Sequence, residues 1–88
     1  MKYKIYKLEY NNEVIYVGYT TRTLKERKRN GYKYIPRDIL NESNIILIEE
    51  TDDISRERYY IEKYRIEGYN LYNIEKGAGY DKALYYKD

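Results

Sequence analysis

Two stretches near the N-terminus, residues 3–10 (Tyr-Lys-Ile-Tyr-Lys-Leu-Glu-Tyr) and 14–19 (Val-Ile-Tyr-Val-Gly-Tyr), interleave polar residues with aromatic and β-branched ones. Both favour strands. Asn11-Asn12-Glu13 between them reads as a turn, so the pair predicts a β-hairpin. Thr23 followed three residues later by Glu26 is a capping box, opening a helix to about Arg29 that Asn30-Gly31 stops. Pro36 suits the first turn of a short helix over 36–42. The most apolar run, 44–50 (Asn-Ile-Ile-Leu-Ile-Glu-Glu), predicts a central strand. Asp52 or Asp53 caps a helix over 54–66, and Gly68 stands where its C-terminal stop belongs. Residues 69–74 predict a last short strand, 76–79 a loop, and 80–88 a frayed helix. No repeat, linker or low-complexity segment divides the chain, so 1–88 is expected to be one α+β domain.

One polar residue breaks the pattern of the 54–66 helix. With Ile54 at zero and about 100° per residue, Ile61, Tyr64 and Tyr60 define an apolar stripe centred near 300°. Glu57 falls at about the same angle. A carboxylate on the face that packs against a sheet needs a cation, a metal, or a cleft. Arg58 and Arg65 flank the stripe and offer a bridge, while a hard divalent cation offers the other solution.

Composition narrows the chemistry. The 88 residues include no Cys and no His, which removes disulfides, thiolate chemistry, the usual imidazole base and the usual zinc ligand. All 15 aromatic residues are tyrosine, so the core must use Ile, Leu, Val and tyrosine rings with their hydroxyls turned to water or a partner. No run approaches the roughly 20 apolar residues of a membrane span. Met1-Lys2-Tyr3-Lys4 lacks the apolar core of a signal peptide. An intracellular domain with no membrane partner is expected. The net charge of +2 is unevenly spread: residues 1–34 hold nine Lys/Arg against three Asp/Glu, and residues 35–88 hold eight against twelve. A basic N-terminal third suggests a polyanion, of which nucleic acid is the commonest.

Against this background, Lys4-Ile5-Tyr6 and Tyr16-Val17-Gly18 resemble the paired signature of the GIY-YIG nuclease superfamily. Residues 20–27 (Thr-Thr-Arg-Thr-Leu-Lys-Glu-Arg) are similar to that family's first helix, whose catalytic arginine maps to Arg27. Residues 56–61 (Arg-Glu-Arg-Tyr-Tyr-Ile) resemble the segment carrying its metal-binding glutamate, which maps to Glu57. Gly68-Tyr69-Asn70-Leu71 resembles the segment whose asparagine lines the site, which maps to Asn70. The resemblance covers residues 3–74, with every motif short but all in the family's order.

The resemblance implies a central three-stranded antiparallel sheet flanked by helices, one divalent ion (Mg2+ or Mn2+), and hydrolysis of phosphodiesters in DNA, single- or double-stranded. It implies that Glu57 holds the metal and that Arg27 neutralises charge on the phosphoryl oxygens. Tyr6 would orient or deprotonate the attacking water, which asks for nearby cations to lower a phenol of ordinary pKa near 10. Tyr16 would bond the phosphate or the water, and Asn70 would hold Glu57 or the leaving group. Arg22, Lys25, Lys28 and Arg29 would contact flanking phosphates. Lys4 stands where glycine is common, and Gly31 stands where many members carry a histidine, so Tyr32 or Tyr34 would substitute, or Tyr6 would act alone, or the protein would be slow or inactive. The expectation is a metal-dependent endonuclease of weak sequence preference, a monomer or transient homodimer, in a bacterial or phage-infected cytoplasm. Two alternatives stand beside it: a catalytically degenerate nucleic-acid-binding module of the same fold, and a structural domain in which Glu57 is bridged. If Tyr6 and Tyr16 share a site, they must share a face of the hairpin. That requires an odd-length loop or a bulge of the same effect.

Overall fold

Asn11 and Asn12 both adopt positive φ, 52° and 64°. A tight two-residue hairpin loop needs this pair of left-handed residues, and asparagine tolerates it. The loop joins β1 (Tyr3–Tyr10) to β2 (Glu13–Thr20) in the computed structural model, which describes residues 2–29 and 32–73. The register begins Tyr10↔Glu13 and Glu9↔Val14, then shifts so that Leu8 faces Tyr16 and Tyr6 faces Gly18. Ile15 is the extra residue of this bulge. The expected parity is thus reached by the bulge and not by a three-residue turn: Tyr6 and Tyr16 lie on one face.

β3 (Asn44–Thr51) pairs antiparallel with the other side of β1, giving the order β2-β1-β3. The apolar run expected in the middle of the sheet therefore forms an edge, with Ile46 and Leu47 exposed. The central strand is β1, despite its charges. Lys7 and Glu9 are two apart on one face and pair at 2.8 Å, and the Lys7 ammonium lies 5.8 Å from the centre of the Tyr64 ring. Local pairing lets a strand with charged positions sit centrally.

Three helices complete the α+β domain. α1 (Leu24–Arg29) starts as expected: the Glu26 backbone N–H donates to Thr23 Oγ1 at 3.2 Å, and that hydroxyl donates to Glu26 Oε1 at 2.9 Å. α2 (Arg37–Glu42) follows Pro36. α3 (Arg56–Ile66) begins two residues later than the apolar stripe suggests. Asp53 captures both the backbone N–H and the hydroxyl of Ser55, at 3.0 and 2.6 Å, and holds 53–55 as a turn. The helix ends at Gly68, φ 101°, in a Schellman motif. Gly68 N–H bonds the Arg65 carbonyl at 3.0 Å, Tyr69 N–H bonds the Tyr64 carbonyl at 3.1 Å, and the Tyr64 and Tyr69 rings meet edge to face.

The sheet separates two apolar clusters. Tyr6, Leu8 and Ile15 pack with Ile35 and Leu40 on the side of α1 and α2. Ile5, Val14 and Val17 pack with Ile61 of α3 on the other. The strand expected over 69–74 does not form within the described part, 69–73. The segment instead runs along the outer edge of β2. Tyr72 N–H bonds the Ile15 carbonyl at 2.8 Å, and the Asn73 carboxamide accepts from Val17 N–H at 3.0 Å and donates to Val17 C=O at 2.7 Å. A side-chain amide here takes the place of a partner strand, so no further ladder is needed. Gly31, the 76–79 loop and the 80–88 helix lie outside the described residues. Among those described, no helix is long and apolar enough to cross a membrane.

Candidate active site

The bulge at Ile15 places Tyr16 beside Tyr6, with ring centres 6.4 Å apart. Gly18, opposite Tyr6, makes that approach possible. A Cβ there would stand 2.6 Å from the Tyr6 hydroxyl oxygen and 2.9 Å from Tyr16 Cε2, too close for any side chain. Tyr32 packs edge to face on Tyr16 at 5.0 Å, and its hydroxyl bonds the Tyr6 hydroxyl at 2.8 Å. The Arg27 guanidinium sits 4.2 Å above the Tyr32 ring, a cation–π contact that aims it across the tyrosine cluster. Of the two tyrosines weighed as stand-ins for the absent histidine, Tyr32 therefore joins the site, whereas Tyr34 is exposed.

Glu57 arrives from the opposite side of the sheet. It lies in the first turn of α3 and is only 6% exposed, as its place on the apolar stripe predicts. β2 is an edge strand, so side chains from both faces can meet around its outer rim. An open hollow of about 370 Å³ forms there, lined by Tyr16 and Arg27 from one face, by Tyr19 and Glu57 from the other, and by Thr20, Thr21 and Arg22 where the chain leaves the strand. Tyr16 and Tyr19, three residues apart on a strand, point to opposite faces. The hollow is thus a wrapped sheet edge, and three of the five expected site residues line it.

The other two stand elsewhere. Tyr6 is fully buried behind Tyr16 and does not line the hollow. Burial drives its phenol far above the ordinary value, with the adjacent Tyr32 adding to the rise and Arg27 only partly opposing it. A base needs the reverse, so Tyr6 has the environment of a positioning residue that keeps its proton. Tyr16 is pushed up to about 12, chiefly by burial, with Arg27 drawing it down and Glu57 raising it. At neutral pH its hydroxyl is a donor. Asn70 is exposed in the segment after α3. The asparagine that is tied in is Asn73, bonded to β2 one residue beyond Tyr16, while Arg65 donates to the Asn73 carbonyl at 2.5 Å. The sequence holds a signal for it, since Tyr-Asn occurs twice in the segment after α3, at 69–70 and at 72–73.

The four basic residues divide into two groups. Arg22 lies at the hollow, 3.7 Å from Glu26, with its backbone N–H on Thr20 Oγ1 at 3.0 Å. Lys25, Lys28 and Arg29 face away on α1, and Lys28 donates to the Ser43 carbonyl at 2.6 Å.

Among the described residues no group of three or more carboxylates gathers to cage a metal. A cation at Glu57 would hold one carboxylate and otherwise water, in a hollow that Thr20 and Thr21 also line. Magnesium accepts such a set, because it keeps most of its waters. The oxygen-only donors fit a hard divalent ion. No family model, no curated protein and no solved structure matches this chain.

Proposed function

We propose that the protein is a metal-dependent endonuclease of the GIY-YIG type that hydrolyses phosphodiesters in DNA with weak sequence preference. The observation that carries the reading is the meeting of Tyr16, Arg27 and Glu57, from three separate elements, around one open and polar hollow. A guanidinium, a phenol that keeps its proton and a buried carboxylate together suit a phosphodiester. Arg27 donates in a planar fork to two phosphoryl oxygens as charge builds on them. Its stacking on Tyr32 limits its rotamers, so little freedom is lost on binding. Tyr16 donates a hydrogen bond to the same phosphate. Glu57 would hold the divalent ion, which when bound acts as a Lewis acid and makes a water more acidic. Tyr6 and Tyr32 keep Tyr16 and Arg27 in place from behind. Arg22 at the rim, with Lys25, Lys28 and Arg29 on α1, contacts phosphates on either side of the one cut.

Non-cutting recognition is the second reading, and the burial of Tyr6 favours it, since the resemblance assigns that residue the water. One assay separates the two. Plasmid and single-stranded DNA are incubated with the protein, with magnesium and then with chelator. Cleavage that needs magnesium supports the nuclease. Binding without cleavage under either condition establishes the recognition module in its place.

A further inference from the structure

A second hollow lies on the far side of α1. Lys25, Lys28 and Arg29 stand at i, i+3 and i+4 on one face of the helix, and Arg27 stands on the opposite face. Arg37, the first residue of α2, completes a rim of four cations around a space of about 430 Å³. Among the described residues, no carboxylate lines it. Its apolar lining comes from buried Leu40 and half-buried Ile45, and exposed Asn41, which carries a carboxamide, lines it too. Lys28 spends one donor on the Ser43 carbonyl, and an ammonium has three.

These parts have a joint meaning. A rim of cations alone would describe a phosphate track, and an apolar floor alone would describe a packing defect. Together with a carboxamide they match an unpaired nucleotide: a flat apolar base on the floor, a base edge against an amide, and phosphates on both sides under cations. A paired base inside a duplex has no free face to offer. Since α1 is only about 10 Å across, a strand leaving the first hollow reaches the second within a few nucleotides.

We propose that the hollow rimmed by Lys25, Lys28, Arg29 and Arg37 binds one unpaired nucleotide of the strand whose phosphodiester lies at Tyr16, Arg27 and Glu57. This rests on the nuclease reading for the strand's path and not for the binding itself. The preferred substrate is then DNA that is single-stranded, or unpaired close to the cut.

The test is equilibrium binding of a fluorescent oligothymidylate of about twelve nucleotides, with chelator present so that nothing is cut. Arg37 is exposed, so Arg37→Gln keeps the fold, which a thermal melt verifies. The expected result is several-fold weaker binding by Arg37→Gln and a salt slope shallower by about 0.7. Replacing the bases by abasic residues should weaken binding to the wild type several-fold, because the base no longer covers apolar surface of Leu40 and Ile45. A fully paired duplex should bind more weakly than the single strand. Unchanged affinity and slope in Arg37→Gln would place the nucleic acid elsewhere. Equal binding of the abasic strand, or of the duplex, would reduce the hollow to a phosphate track and overturn the nucleotide assignment. Cleavage of the same oligonucleotide by the wild type with magnesium is scored separately. Loss of binding in Arg37→Gln without cleavage by the wild type leaves the hollow standing and removes the nuclease. Cleavage with binding indifferent to Arg37 does the reverse.

Discussion

At Glu57 a carboxylate is buried in the first turn of α3 and shares its hollow with Arg27. Glu57→Gln keeps the side chain's size and removes its charge. If the carboxylate serves a metal, the variant should melt in urea at or slightly above the wild-type midpoint, while magnesium-dependent cleavage falls by orders of magnitude. If it serves as half of a structural bridge, the loss should cost about 3–5 kcal/mol, and we expect the first outcome. A stable variant that still cuts at the wild-type rate would end the assignment. Glu57 was legible because a helical stripe exposes any polar intruder. Asn73 was only half legible: the repeated Tyr-Asn marks two candidates, but the choice is made by two bonds that reach across 56 residues to Val17, and no local pattern encodes a contact of that span. Tyr6 offers a second test at this scale. Its folded-state pKa lies above the ordinary value of about 10, so the native state holds the proton more tightly than the unfolded chain. The resulting stability is complete below about pH 10 and is lost as pH rises beyond it, by about 1.4 kcal/mol per pH unit. Urea melts at pH 9, 10 and 11 should show a fall that is shallower in Tyr6→Phe by that amount. Equal falls in both proteins would mean that the Tyr6 phenol ionises freely in the folded state.

Among the elements, the hairpin and helix starts were written in local signals: Asn11-Asn12 for the turn, Thr23 and Glu26 for α1, Gly68 for the end of α3. The sheet order was not. Strand apolarity suggested that 44–50 lies centrally, yet β1 does, because Lys7 and Glu9 neutralise each other on its surface. The expected strand after α3 failed for a related reason. One carboxamide satisfies both backbone groups of Val17, and a backbone ladder becomes unnecessary there. This clasp also covers an edge that would otherwise be open to pairing with another chain. Asn73→Ala removes both bonds, at about 0.5–1.5 kcal/mol each. The variant should have a lower urea midpoint, with faster hydrogen exchange at the Val17 amide than in the rest of β2. An unchanged Val17 exchange rate would show that water replaces the clasp without loss.

For the molecule as a whole, five of the nine cations of the basic third, Arg22, Lys25, Arg27, Lys28 and Arg29, gather on or beside α1 and line hollows on two sides of one short helix. Replacing Lys25, Lys28 and Arg29 by glutamine together should weaken binding of single-stranded DNA and flatten the dependence of log K on log salt by about 0.7 for each phosphate left without its cation. An unaltered slope would exclude this surface. The two-sided construction of the first hollow was beyond sequence reasoning, since only the three-dimensional placement of β2 at the rim lets Glu57 meet Tyr16 and Arg27. That construction depends on the bulge that takes up Ile15. A strand alternates like the two colours of a chequered ribbon, and Ile15 is the one square that shifts the colours. Deleting it would leave a regular hairpin in which Leu8 still faces Tyr16, whereas flattening the bulge with Ile15 in place would pair Leu8 with Ile15 and turn Tyr16 beneath α3. The hairpin is therefore expected to tolerate losing its one irregular residue better than becoming regular with that residue in it: the shorter strand keeps the site's side of the sheet, and the smoothed one exchanges its inside for its outside.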